Sequence, residues 1–347
     1  MTAHSPSPKV GWLCGYTPVE ILTAAGVQPL RLRGGAGNEA QARAFLPAAL
    51  CPYLKGCLGD ALAGNPEGID GVVVTTCCDG MRRLADLWSR YLPGFVYVLD
   101  VPRHKTREAA GYFRNRLVEQ ARFLSERYGR TAGGETLSAA IHSWNETRHH
   151  LAALDNLRSG DTPISAREML ALLDRATREP PALVNPWLAG LSSRTRGSSS
   201  PAGIPVVVSG NLVTAGDGQL LDLIEAAGGR VVGDDLCNGM RGLSGDVIPD
   251  ADPFLALARS YLERVPCPRM AFSPDRFDAL ASLCRQREAR GVIYVSQKFC
   301  DGSLYDFAPL RERLQREGIA TLLLELDASA VTVGQTRTRI EAFLEAL

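Results

Sequence analysis

Neither sign of charge is in excess. The 38 Lys and Arg stand against 38 Asp and Glu, so no overall field draws the chain to nucleic acid or to a membrane surface. No apolar run reaches the roughly eighteen residues that a membrane helix needs. The opening "MTAHSPSPKV" has no apolar core of the kind found in signal peptides. A cytoplasmic location is therefore expected. That compartment keeps thiols reduced, so the nine cysteines are not a disulfide framework; metal binding or catalysis is the better use for some of them. Two close cysteine pairs of the common zinc type are missing, and so is a ferredoxin-like C-x2-C-x2-C run. Nor is there a G-x4-G-K-S/T loop to hold ATP.

What is present is globular: 347 residues, 45% hydrophobic and 22% charged, enough for roughly two or three domains. Short strands alternate with amphipathic helices over the first hundred residues. "KVGWLCGY" reads as a strand and "TPVEILTAAG" as a helix, with Thr17 as N-cap, Pro18 at the first helical position and Gly26 as its stop. "QPLRLRG", "GIDGVVVTT" and "GFVYVLDVPR" are further strands, and residues 39–63 look helical. From Thr106 onward the pattern turns helical throughout, and the Ser/Gly/Arg-rich stretch 190–203 reads as a linker. The strand-helix rhythm then resumes with "IPVVVSG", "RVVGDD", "GVIYVSQKF" and "ATLLLELD". The expected fold is α/β, with two Rossmann-like domains of parallel sheet joined by a helical segment, divided at 1–105, 106–200 and 201–347.

The stretch "VVVTTCCDGMRR" places Cys77 and Cys78 just past a buried strand, and Cys300 follows another. In α/β domains this is where ligands are held. Cys237 lies close behind the strand at 230–235. Cys51 precedes Pro52 in "LCPYLKGCLGD", a break that leaves backbone amides free to face a ligand. Cys14, Cys57 and Cys284 sit within elements and read as packing, since a free cysteine behaves as a small apolar residue. The "CP", "CCD" and "FCD" sites admit inert packing, redox thiols, or a cluster held by one thiolate from each of three loops.

Seven stretches, in order, resemble the 2-hydroxyacyl-CoA dehydratase family, which includes benzoyl-CoA reductase subunits: "GWLCGYTPVEILTAAGVQPLRL", "LCPYLKGCLGDAL", "VVVTTCCDGMRRL", "GDDLCNGMRG", "YLERVPCPRM", "GVIYVSQKFCDGSLYDFAPL" and "GQTRTRIEAFLE". They cover nearly the whole chain, the helical middle matching in kind more than in residues. The resemblance implies an oxygen-sensitive [4Fe–4S] cluster held by Cys51, Cys78 and Cys300. Cys77 stands where the family usually has no cysteine, so it either packs beside the site or substitutes as a ligand.

Three thiolates leave one iron open to a substrate oxygen. In the family one electron is passed to a CoA thioester, forming a ketyl radical anion that expels a neighbouring hydroxyl group. In the reductase branch the electrons are consumed by an aromatic ring. The resemblance further implies a homologous second subunit (or a second copy of the chain), an acyl-CoA substrate, and a separate ATP-hydrolysing iron–sulfur activator as electron donor.

Two rival readings accompany this one. A homodimeric reductase with a double-cubane [8Fe–9S] cluster would need a second thiolate set, for which Cys57, Cys77, Cys237 and Cys267 are the candidates. A non-catalytic relative that senses or scaffolds is the other. Glu20, at the start of a helix, is a candidate catalytic residue facing the site or else a charge favourable to the helix dipole. Lys298 either tunes the cluster's charge or is a strand lysine. His142, His149 and His150 read as surface or packing residues, and "RHKTR" at 103–107 as a basic turn that is solvated or meets CoA phosphates.

Overall fold

Valine-rich runs set the frame. In the computed structural model, which describes residues 7–35, 37–64, 67–160, 164–192, 203–214, 218–327 and 333–347, these runs form two four-stranded sheets. The first contains β1 (Lys9–Trp12), β2 (Gln28–Arg31), β3 (Gly71–Thr75) and β4 (Phe95–Leu99) in the order β2-β1-β3-β4. All of its pairings are parallel, with Val10 opposite Pro29 on one side and Gly71 on the other. Every residue of β3 is buried, as a strand covered by helices on both faces must be. The helices of this half are α1 (Val19–Ala24), α2 (Glu39–Ala42), α3 (Pro52–Leu62) and α4 (Asp79–Tyr91).

Four helices follow, the first two the longer pair: α5 (Arg107–Tyr128), α6 (Glu135–Leu157), α7 (Ala166–Ala176) and α8 (Pro181–Ser192). Thr106 caps α5 by accepting the Ala109 N–H at 3.2 Å, and Ser165 with Glu168 forms a capping box on α7. The linker expected at 190–203 lies mostly outside the described residues.

The second half repeats the strand order of the first. Strands β5 (Ile204–Gly210), β6 (Gly229–Asp235), β7 (Gly291–Gln297) and β8 (Ala320–Leu326) run parallel as β6-β5-β7-β8. Interleaved are α9 (Gln219–Ala226), α10 (Met240–Leu243), α11 (Pro253–Glu263), α12 (Asp275–Gln286), α13 (Asp301–Gln315) and α14 (Val333–Glu345). Alternation along the strands splits their side chains into two cores. Val206, Val208, Ile293 and Val295 pack with residues of α9 and α14, whereas Val207, Val292 and Tyr294 pack with residues of α12 and α13. Helix α11 does otherwise: its Leu257, Tyr261 and Leu262 belong to the core of the first sheet, where α11 packs on α5.

Two local expectations shift. The first helix begins at Val19 with Pro18 as cap, and the buried Thr17 hydroxyl bonds to nothing, because the turn Thr17 N–H to Cys14 C=O carries the chain past it. The region 39–63 is two helices, since Pro47 and Pro52 interrupt the amide ladder between them. Among the described residues no helix is long and apolar enough to cross a membrane.

Candidate functional site

Cys51, Cys78 and Cys300 each occupy the N-cap of a helix: α3, α4 and α13. Their carbonyls open those helices, accepting from Leu54 at 3.1 Å, Arg82 at 3.3 Å and Ser303 at 2.9 Å. A side chain at this position stands beside the unpaired first-turn amides and the positive end of the helix dipole, an environment that favours a thiolate. Cys78 Sγ accepts the Met81 N–H at 3.4 Å. All three are half-buried. Burial pushes the Cys51 thiol up to about 12, and the charges of Cys300 and Cys78 add to that rise, so the three sulfurs lie within electrostatic reach of one another.

A second group of thiols adjoins the first. Strands β1 and β3 are neighbours, and this brings Cys14, just beyond β1, to Cys77, just beyond β3. Cys77 lies beside both Cys14 and Cys78, and sharing its one thiol proton with them draws those two thiols down and drives Cys77 up. Cys14, Cys237 and Cys267 line a cavity of about 30 Å³ together with Tyr16, Arg241 and Arg264, space for roughly one water. Arg31 Nη2 donates to Cys237 Sγ at 3.3 Å, and the Cys267 N–H donates to Tyr16 Oη at 3.2 Å. Cys57 does not join this group. It lies buried with Tyr53 and Asp60 beside a different cavity, so the second group is Cys14, with Cys77 beside it and Cys237 and Cys267 on the small cavity it shares with them. Cys284 is buried in the second half.

Arg269 reaches the first group from the loop after α11. Its Nη2 donates to Cys300 Sγ at 3.8 Å, and its charge acts on Cys78 as well. In the sequence this residue is marked only by being a cation between Pro268 and Met270 in a cysteine motif, and it was not among the expected site residues. Beside Cys300, Phe299 holds φ at 63°, a conformation a bulky residue adopts only when its surroundings impose it. The ammonium groups of Lys55 and Lys298 both lie 5.6 Å from its ring centroid, and Lys298 also donates to Asp327 at 3.2 Å.

Glu20 is placed elsewhere. It is fully buried, paired with Arg148, and accepts the Tyr261 hydroxyl at 2.8 Å. Burial pushes its carboxyl up, but the Arg148 guanidinium outweighs that and leaves it below the usual range. It thus ties α1 to α6 and α11. His149 pairs with Asp246 at 2.7 Å, and Lys105 of the basic turn with Asp275 at 2.9 Å.

Among the described residues no three His, Cys, Asp or Glu side chains are close enough to hold a single metal ion. A cubane attaches each thiolate to a different iron, so its donors share no single coordination sphere. Half-buried thiols at three helix N-termini, with a guanidinium beside them, are a donor set suited to such a group.

Two parallel sheets with cysteine-bearing loops at their carboxyl ends define an α/β protein of two Rossmann-like domains, and sequence comparison specifies its family. The profile described as "2-hydroxyglutaryl-CoA dehydratase, D-component" matches residues 14–347, and the chain belongs to that family. It is 25% identical to the (R)-phenyllactyl-CoA dehydratase beta subunit of Clostridium sporogenes, over 97% of this chain and 91% of that one. Identity to a benzoyl-CoA reductase subunit of Thauera aromatica is 27%, over 89% and 83%. For the beta subunit of (R)-2-hydroxyglutaryl-CoA dehydratase of Acidaminococcus fermentans it is 22%, over 97% and 92%. The chain is accordingly a subunit of a 2-hydroxyacyl-CoA dehydratase-type enzyme.

Proposed function

We propose that this subunit holds a [4Fe–4S] cluster on Cys51, Cys78 and Cys300 and serves one-electron activation of an acyl-CoA thioester. The supporting observation is the meeting of three N-cap cysteines, one from each of three loops, close enough for the charge of two to act on the third. When bound, such a cluster supplies a low-potential electron and an iron open to an oxygen ligand. The chain's own part is to present the three sulfurs at helix N-termini, where the first-turn amides and the positive end of the dipole face them, and to limit water around them by partial burial. Arg269 adds positive charge beside two of them. Cys77, turned toward Cys14, packs behind Cys78.

Relatives named as beta subunits support a second, homologous chain as partner. The absence of a phosphate loop supports a separate ATP-hydrolysing activator. Anaerobic reconstitution followed by iron and sulfide analysis tests the proposal. About four irons per chain is the expected result; a folded chain that stays iron-free under strict anaerobiosis would overturn it. The second thiol group beside Cys78 favours one alternative, a double cubane, for which the count would be about eight.

A further inference from the structure

Arg269 forms no salt bridge within 4 Å among the described residues, the Asp301 carboxylate acting on it only through its field, and its loop is fixed at three places. The Cys267 N–H donates to Tyr16 Oη at 3.2 Å, Met270 N–H to the Cys267 carbonyl at 2.9 Å, and Ala271 N–H to the Arg103 carbonyl at 2.9 Å. Its side chain then lies across Gly302, the second residue of α13. A Cβ at position 302 would stand 2.8 Å from Arg269 Cδ and 2.9 Å from Nε, closer than such contacts allow. The glycine therefore admits the arginine, and the arginine reaches Cys300 Sγ at 3.8 Å while its field covers Cys78.

We infer that Arg269 is the positioning residue that sets the reduction potential of whatever redox group Cys78 and Cys300 hold, an inference that rests on the cluster reading above. Charge is the physical reason. One-electron reduction makes no bond and breaks none, and it adds one negative charge to a group already carrying three thiolates. A fixed guanidinium with an N–H directed at a ligand sulfur stabilises the more negative state, and hydrogen bonds to sulfur and nearby net charge are recognised determinants of such potentials. Arginine suits the task because it stays protonated in any surroundings.

The test uses the full chain, reconstituted anaerobically with iron and sulfide and titrated with titanium(III) citrate, the reduced fraction being read by electron paramagnetic resonance. At the potential where the wild type is half reduced, Arg269→Gln is expected to show a reduced-to-oxidised ratio about tenfold lower, equivalent to about 59 mV for a one-electron couple. Arg269→Lys, which keeps the charge, should stay closer to the wild type. Gly302→Ala displaces the guanidinium without removing it and should move the ratio in the same direction by less; it decides the matter if the Gln variant fails to load. Full iron content with unchanged ratios in Arg269→Gln and Gly302→Ala overturns this inference alone. A wild type that takes up no iron overturns the cluster reading, and this inference with it.

Discussion

The two sheets have the same strand order, yet their switch points are closed by different chemistry. In the first sheet, the adjacent ends of β1 and β3 carry Cys14, Cys77 and Cys78, sulfur facing sulfur. In the second, the ends of β5 and β7 are sealed by amides. Asn211 Oδ1 accepts from the Gln297 N–H at 3.0 Å, Asn211 N–H donates to the Val295 carbonyl at 3.1 Å, and Arg241 donates to the Gly210 carbonyl at 2.8 Å. Cys300 lies beyond this seal, on the turn into α13. A repeated fold has thus been furnished once with thiols and once with a hydrogen-bonded plug, and the second half sends its sulfurs toward the first from outside that plug, Cys300 from the turn after β7 and Cys237 from the turn after β6, where it accepts from Arg31. The fold positions loops, and the loops determine what each half can bind.

Substitutions on either side sharpen that contrast. The largest effect is expected at the thiols that cross between halves: Cys78→Ala and Cys300→Ala should each lose iron and turnover together, as measured by iron analysis and acyl-CoA assay after reconstitution. If Cys300→Ala kept its iron, the second half would contribute no ligand and the contrast would collapse. Next comes the plug. Gly210 has φ at 128°, and a Cβ there would lie 1.8 Å from the Val295 carbonyl oxygen. Gly210→Ala should therefore cost more than about 4 kcal/mol in denaturant unfolding; a smaller loss would mean that the plug yields easily.

Glu20→Gln should cost about 3 to 5 kcal/mol, because Arg148 is left buried and uncompensated. The wild-type carboxyl lies below its unfolded value of about 4.3. Its contribution is therefore complete above that pH and disappears as acidity passes the depressed folded value. Unfolding curves of wild type and variant should converge on acidification, and a constant gap would contradict the ion pair. Smallest is Cys77→Ala, expected to keep its iron and lose about 1 kcal/mol from a small cavity. Iron loss in this variant equal to that in Cys78→Ala would assign the neighbouring thiols the same role.

Much of this was legible in the sequence. Buried valine runs announce parallel strands because nothing else packs so continuously between helices, and both sheets follow from them. Cysteines past strand ends were visible for the same reason. Other features lie outside any local pattern. Nothing local in residues 253–263 shows that Tyr261 and Leu262 face the first sheet's core. Cys14 read as packing, since its neighbour Cys77 is brought to it only by the pairing of β1 with β3. Glu20 reads as facing the site or as a charge favourable to the helix dipole, and its burial depends on Arg148 and Tyr261 arriving from distant parts of the chain. Arg269 belongs to no periodic pattern, and only the space left by Gly302 reveals its course.

The placement of α11 has a consequence for synthesis. Residues 253–263 complete the core around α5, so a nascent chain whose ribosome has passed only the first sheet and helices α5 to α8 still exposes the apolar face that Leu257 and Leu262 will cover. That half cannot close until α11, which ends at Glu263 well inside the second half, has been made. Cys300 emerges later still, and any metal cofactor that depends on it must be inserted into a nearly finished polypeptide.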